Sequence, residues 1–369
     1  MGLRIQQVRQ NRAAAAMREA GVDVLLLCPG ADLLYFTGFE HGHAGERLMA
    51  LALRSDGSSH WIVPEMNAPQ VEAVLLPRQA IRGWTDAEWY VPALREAIEG
   101  AGTIAFDDEA RAGFAMDVLA LAPAAKLVRA SAVTRDLRIR KERWELDCLR
   151  GAGRTVDETI PEAIGFCRPG VRESDVDREL RAALLRRSPD SSVAFTIIAS
   201  GPNSALPHHE TGDRTLEAGD VVVVDYGTRR RDYLSDITVT CCVGAPRDPE
   251  AEYVYSVVRE AQQTAIEAVR PGVPCGDVDR AARDVIERAG YGPHFLHRTG
   301  HGLGVQGHEP PFIVPEGTDL LEEGMVFSIE PGVYLPGRFG VRLEIIVAVT
   351  RGGVDLINAP SADRMPRSV

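Results

Sequence analysis

Leu216-Glu217-Ala218-Gly219-Asp220-Val221-Val222-Val223-Val224-Asp225-Tyr226-Gly227 is the stretch on which the fold turns. Its run of four valines predicts a strand buried on both faces. Asp225 closes that run, and an ionised carboxylate there is costly unless something cationic meets it. The pattern returns at Leu321-Glu322-Glu323-Gly324-Met325-Val326-Phe327-Ser328-Ile329-Glu330-Pro331-Gly332, where the Leu, Glu, first Gly, Val and last Gly coincide and Glu330 takes the carboxylate's place. A second pair of segments lies upstream at nearly the same offset. Arg168-Pro169-Gly170-Val171-Arg172-Glu173-Ser174-Asp175-Val176-Asp177-Arg178 matches the segment from Arg270 to Arg280 at eight of eleven positions, too many for chance. In each copy Pro-Gly is read as ending one helix and Asp-Val-Asp-Arg as opening the next. The later part of the chain is therefore predicted to be two related halves, each a pair of helices followed by a strand and a carboxylate-bearing hairpin.

The hairpins carry the chemistry. Leu234-Ser235-Asp236-Ile237-Thr238-Val239-Thr240 alternates polar and apolar residues, which places Asp236, Thr238 and Thr240 on one face of a strand. A polar turn from Gly227 to Asp232 would bring Asp236 back against Asp225. In the second half, Val341-Arg342-Leu343-Glu344-Ile345-Ile346-Val347 is read as the returning strand, with Arg342 and Glu344 on one face. Four inward carboxylates cannot all ionise unless a multivalent cation neutralises them, and two divalent metals would do so. Six of the nine histidines (His208, His209, His294, His297, His301 and His308) fall inside the repeat region, which ties them to the same site. The segment from His297 to His308 has too many glycines for a helix, so its backbone is read as shaped for close approach. One histidine with four carboxylates is a harder ligand set than the cysteine sites of structural zinc and suits Mn(II), Co(II) or a Zn(II) pair.

The order Asp225, Asp236, His301, Glu330, Glu344, with Gly300-His301-Gly302-Leu303-Gly304 ahead of His308-Glu309, resembles the pita-bread metallopeptidases: prolidase, aminopeptidase P and methionine aminopeptidase. Gly201-Pro202-Asn203-Ser204-Ala205-Leu206-Pro207-His208 is similar to the Xaa-Pro branch in particular. The resemblance implies a mixed α/β (α+β) chain: a creatinase-like N-terminal α/β domain over residues 1–135, then a pseudo-twofold pita-bread catalytic domain over residues 136–369. It implies two divalent ions per chain, Mn2+ first, with Zn2+ or Co2+ as alternatives. Asp225 would bind one ion, Asp236 and Glu344 would bridge, and His301 with Glu330 would bind the other. The attacking water would lie between the ions, with Glu330 as its proton acceptor. His208 corresponds to the family's histidine that binds the reacting peptide and assists its proton transfers. His297 and His308 resemble substrate-side histidines, Tyr334 a hydroxyl near the site, and Arg342 an arginine that organises or neutralises it. Ile345 departs from the many relatives that carry a carboxylate there. The activity implied is hydrolysis of Xaa-Pro dipeptides. The alternatives are an aminopeptidase acting on longer peptides, a creatinase-type amidinohydrolase, and a metal-free peptide-binding module of the same fold.

The first domain is read from alternating patterns. A helix over Arg4 to Ala20 is closed by Gly21, and strands are predicted at Val22 to Cys28, Leu48 to Leu53, His60 to Val63 and Thr103 to Phe106. Helices are predicted near Val91 to Glu99 and Arg111 to Leu121. Ala132 to Arg140 is read as lacking amphipathic period, and Lys141 to Ile164 as one long helix. The segment Glu40-His41-Gly42-His43-Ala44-Gly45-Glu46-Arg47 resembles a loop that small bacterial prolidases lend to the partner subunit's active site, which implies a homodimer. Arg47 or Arg338 would then hold the free carboxylate of a dipeptide. Composition narrows the rest. The 45% hydrophobic and 25% charged content is that of an ordinary globular chain. With Lys+Arg 41 against Asp+Glu 53, the net charge of -12 makes nucleic acid and anionic membranes poor partners. No apolar run approaches the ~20 residues of a membrane span. Six scattered cysteines without Cys-x-x-Cys pairing are read as reduced core residues, and a cytoplasmic location is expected.

Overall fold

The computed structural model describes residues 2–40, 45–77 and 79–368. The loop predicted between Glu40 and Arg47 therefore has its residues 41–44 outside the described residues. The chain forms two compact units, Met1–Arg138 and Ile139–Val369. Among the described residues no helix is long and apolar enough to cross a membrane.

In chain order the first unit consists of α1 (Gly2–Ala20), β1 (Val24–Leu27), α2 (Ala31–Thr37), β2 (Ala50–Arg54), β3 (Ser59–Pro64), α3 (Ala68–Glu72), β4 (Ala80–Trp84), α4 (Val91–Ala97), β5 (Thr103–Phe106), α5 (Ala112–Leu121), β6 (Lys126–Arg129) and α6 (Ser131–Arg138). Its sheet runs β4-β3-β2-β1-β5-β6, antiparallel from β1 to β3 and parallel toward both edges. The predicted elements are present. Four elements were not anticipated: the short helices α2 and α3 and the edge strands β4 and β6. The residues read as aperiodic before the boundary form α6, an amphipathic helix that buries Val133 and Thr134. Its charge misleads because it is spent locally: Arg138 pairs with Asp32 at 2.6 Å, and Thr134 Oγ1 donates to the same carboxylate.

The second unit contains α7 (Arg143–Asp157), α8 (Ile160–Phe166), α9 (Glu173–Arg187), β7 (Ser191–Ser200), β8 (Val221–Arg230), β9 (Tyr233–Leu234), β10 (Ile237–Val243), α10 (Ala251–Ala268) and α11 (Cys275–Arg288). There follow β11 (Gly300–Gly302), β12 (Glu309–Ile313), β13 (Val326–Ile329), β14 (Gly332–Leu335), β15 (Phe339–Arg342), β16 (Ile345–Thr350), β17 (Gly353–Leu356) and β18 (Arg367–Ser368). The long helix predicted from Lys141 is two helices, because Pro161 in the first turn of α8 cannot donate into a continuing ladder.

The repeat is a structural repeat. Antiparallel β7-β8-β10 in one sheet corresponds to antiparallel β11-β13-β16 in the other. The same backbone bond clips each copy of the Pro-Gly segment to its strand: Gly170 N–H donates to Leu216 C=O at 2.9 Å, and Gly272 N–H to Leu321 C=O at 2.8 Å. The halves differ in their hairpins. β8 does not stop at Asp225 but continues to Arg230, and the tight turn is Arg231-Asp232, both at positive φ (47° and 72°) as a two-residue hairpin requires. In the second half the β14-β15 hairpin, the counterpart of β8-β9, stands as separate strands between β13 and β16, so the strand predicted over Val341 to Val347 is broken at Leu343-Glu344.

Candidate metal centre

Asp225 lies in the middle of β8, opposite Ile197 of β7 and Thr238 of β10. Asp236 stands just before β10, Glu330 just after β13, and Glu344 just before β16. Asp236 and Glu344 thus stand at equivalent positions, one residue ahead of their strands, whereas Asp225 is inside its strand and Glu330 just beyond its own. His301 is the central residue of β11. The glycines around it serve the sheet rather than the ligand: a Cβ on Gly300 would sit 1.8 Å from the Ser328 carbonyl oxygen, and one on Gly302 2.3 Å from that of Pro310.

These side chains meet in a cleft of about 820 Å³, which is also lined by Phe195, Ile197, Pro207, His208, His297, Arg298, His308 and Arg342. Three overlapping groups in it place one ligand atom per residue within 4.8 Å of one another: Asp225, Asp236 and Glu344; His301, Glu330 and Glu344; and Asp236, His301 and His308. Glu344 belongs to the first two. Among the described residues one cation lies within the cluster, the Arg342 guanidinium. It reaches Asp225 Oδ2 at 2.7 Å, Thr238 Oγ1 at 3.1 Å, the Tyr334 hydroxyl at 3.0 Å and the Pro207 carbonyl at 3.1 Å. A single guanidinium against four carboxylates leaves the cluster short of positive charge. Burial, then the fields of neighbouring carboxylates, push Asp236 and Glu344 well above the usual carboxylate range. Burial raises Glu330 to about 7 despite Arg342.

His301 does not supply the missing charge, because burial and His308 lower it to about 3 and keep it neutral. Its Nδ1 lies 3.1 Å from the Gly302 carbonyl and so carries the proton. That leaves the Nε2 lone pair facing Glu330 Oε1 at 3.3 Å and Asp236 Oδ2 at 3.6 Å. Two carboxylate oxygens, Asp225 Oδ1 and Glu344 Oε1, are buried without a hydrogen-bond partner. Orphaned carboxylate oxygens beside a free imidazole lone pair fit divalent cations and little else.

The remaining predicted residues fall in different places. His208 is exposed on the cleft wall, on a loop whose root is the fully buried Glu173. Glu173 accepts from Ser200 N–H and Oγ at 2.7 Å each, and it lies 2.9 Å from Nε2 of His209, the neighbour of His208. Tyr334 is buried and receives Arg342. Its hydroxyl donates to His297 Nε2 at 2.8 Å, since His297 Nδ1 faces the Arg298 carbonyl at 2.7 Å. His297, held neutral by burial, is thus tied to Tyr334. His308 packs edge-on to His301 with ring centroids 3.8 Å apart. Arg338 does not line this cleft: it is bound by Asp248 and Glu250, each at 2.6 Å, beside a different pocket. Arg47 is paired with Asp86 at 2.7 Å in the first unit. The sequence reading passed over Arg298, which lines the cleft beside His297, and Thr238, which donates to Glu344 Oε2 at 2.8 Å. Thr238 was on the predicted face. Arg298 carried no periodic signal, because it precedes a three-residue strand.

Comparison with known proteins gives a consistent result. Residues 147–351 match the model of metallopeptidase family M24, and residues 9–140 match that of the creatinase/prolidase N-terminal domain. The probable dipeptidase PepE of Mycobacterium tuberculosis is 40% identical over 94% of this chain and 92% of its own length. Among solved structures, dipeptidase PepE from Mycobacterium ulcerans superposes with a TM-score of 0.92 at 37% identity, over 100% of this chain and 99% of that one. A prolidase from Thermococcus sibiricus superposes with a TM-score of 0.92 at 34% identity, over 98% of both chains.

Proposed function

The chain belongs to metallopeptidase family M24, and from that premise we propose that it is a prolidase, hydrolysing the Xaa-Pro bond of dipeptides with two divalent ions. Asp225 would hold one ion and His301 with Glu330 the other, with Asp236 and Glu344 serving both, Mn2+ being the first candidate and Zn2+ or Co2+ the alternatives. The observation that carries this reading is the buried cluster of four carboxylates and one neutral imidazole, with two carboxylate oxygens left unpartnered. When bound, the ions supply Lewis-acid polarisation of the scissile carbonyl and a nucleophilic water at neutral pH.

The protein's own groups do the rest. Glu330 is oriented by Ser328 Oγ at 3.1 Å and accepts the proton of the attacking water. An Xaa-Pro bond is a tertiary amide, so its nitrogen must gain a proton to leave as the secondary amine of proline. His208, which lines the cleft, would supply that proton. Phe195, Ile197 and Pro207 give the cleft an apolar wall suited to the pyrrolidine ring. Arg342 holds Asp225 in place and draws Tyr334 against His297, which fixes the other wall. Six free buried cysteines suit a reducing cytoplasm, and a homodimer follows from the resemblance of the first domain to its small bacterial counterparts. The test is a manganese-reconstituted assay of Ala-Pro, Ala-Pro-Ala and Ala-Ala side by side. Ala-Pro should be cleaved fastest. Faster cleavage of Ala-Pro-Ala would make the enzyme an aminopeptidase, and no cleavage by loaded protein would leave the binding-module reading.

A further inference from the structure

Two arginines line the metal cleft, and they differ in what they hold. Arg342 is saturated, with a carboxylate, two hydroxyls and a backbone carbonyl around its guanidinium. Arg298 is half-buried, and its guanidinium lies over the ring of Phe312, 4.7 Å from the centroid. Among the described residues it has no ion pair and no side-chain hydrogen bond. A partly desolvated guanidinium with five unused donors is costly unless an anion completes it, and the fork of donors matches a carboxylate. Stacking on Phe312 restrains the plane without using those donors. The backbone under Arg298 is also fixed. His297 Nδ1 donates to the Arg298 carbonyl at 2.7 Å, and Arg283 holds the carbonyls of Phe295 and His297 at 3.3 and 3.0 Å.

We propose that Arg298 is the substrate-binding residue that receives the free α-carboxylate of the residue following the scissile bond, and so sets the preference for dipeptides. The inference rests on the dipeptidase reading above. In a dipeptide that carboxylate is two bonds from the leaving nitrogen, so its receptor must stand in the same cleft as the ligand cluster. Arg298 does, whereas Arg338 lies at another pocket and is neutralised by Asp248 and Glu250. A longer peptide offers a neutral amide at that point, and binding it would leave the guanidinium unpaired.

The test compares acid with amide. Manganese-loaded wild type, Arg298→Ala and Arg298→Lys are assayed on Ala-Pro and Ala-Pro-NH2, and on Ala-Ala and Ala-Ala-NH2. Binding of L-proline and L-prolinamide is measured by calorimetry. Wild type should prefer the acid by on the order of 10- to 100-fold in kcat/KM, the value of one charge-assisted pair. In Arg298→Ala that ratio should collapse toward one, and L-proline should bind at least about tenfold more weakly. Arg298→Lys should keep an intermediate ratio, since it retains the charge but not the fork. An acid-to-amide ratio unchanged in Arg298→Ala, a wild type indifferent to the amide, or undiminished binding of L-proline would each overturn the proposal. Equal cleavage of Ala-Ala and Ala-Pro would instead refute the proline preference alone. The Ala-Ala pair and the calorimetry would then still decide the role of Arg298.

Discussion

Asp177 and Asp279 occupy the same position in the repeat, the fifth residue of α9 and of α11, yet they should respond very differently to truncation. Each is the centre of the same brace. Asp177 accepts from Arg181 and from Thr196 Oγ1 on β7; Asp279 accepts from Arg283 at 2.8 and 3.0 Å and from Thr299 N–H and Oγ1 at 3.1 and 2.8 Å. Burial separates them: the Asp279 side chain is 0% exposed and that of Asp177 22%. Asp279→Ala strands a buried Thr299 N–H and a largely buried guanidinium, a loss of about 3–5 kcal/mol. Asp177→Ala breaks a pair that water can re-solvate, a loss of about 1 kcal/mol. Helix propensity and macrodipole effects are matched between the two sites and cancel in the comparison. For a unit of this size, ~2–4 °C per kcal/mol predicts a fall of about 6–20 °C for Asp279→Ala and a few degrees for Asp177→Ala. Calorimetric melting of both variants reads this directly. Because the Asp279 brace also secures the segment carrying His297 and Arg298, its variant should lose kcat/KM at temperatures where it remains folded. Equal destabilisation by the two substitutions, or a loss below about 1 kcal/mol at Asp279, would refute the argument that burial rather than position sets the worth of the brace.

His208→Ala should keep most of its metal while kcat on Ala-Pro falls on the order of 10²-fold, and loss of metal with an unchanged rate per loaded site would reassign the residue as structural. Elemental analysis of reconstituted protein should approach two divalent ions per chain, and Asp236→Asn should lower occupancy of both; full activity after chelation would refute the two-ion reading. In chelated protein the folded-state values of Asp236, Glu344 and Glu330 lie above their unfolded values, so the folded state binds more protons and stability should fall as pH rises from about 4.5 to about 7. Melting temperatures with and without Mn2+ should diverge across that window, and a chelated protein whose stability rose through it would contradict the charge shortage described above.

What the sequence made legible was what recurs or alternates. The Pro-Gly and valine-run pairs specify two copies of one arrangement, and that alone brings Asp225, Asp236, Glu330 and Glu344 to one place. Features that depend on a partner distant in sequence were not legible. The aperiodic appearance of α6 hides charges that Asp32 neutralises from about a hundred residues away. His209 reads as one more histidine of the repeat region until Glu173 is found beneath it. Asp225 reads as a strand end because the apolar run stops there, although the ladder runs on to Arg230 through residues buried by the neighbouring strands. Arg338 and Arg298 could not be ranked from sequence, since what separates them is whether a carboxylate stands within reach.

The symmetry of the catalytic unit creates a problem that its asymmetry answers. Two copies of one hairpin place four carboxylates in one buried cluster, and nothing within the symmetric part offsets their repulsion. The offsetting groups are residues that the second half alone supplies. The β14-β15 hairpin, where the first half has the shorter β8-β9 hairpin, supplies Tyr334 and Arg342. The short glycine-flanked strand β11, where the first half has the ten-residue β7, supplies His301 and brings Arg298 to its rim. A hairpin that ends in one guanidinium neutralises one carboxylate and leaves the others demanding cations. That shortage is the physical reason the site should select divalent metals, and why removing Arg342 should raise the site's cation affinity while disordering Asp225, the ligand it holds at 2.7 Å.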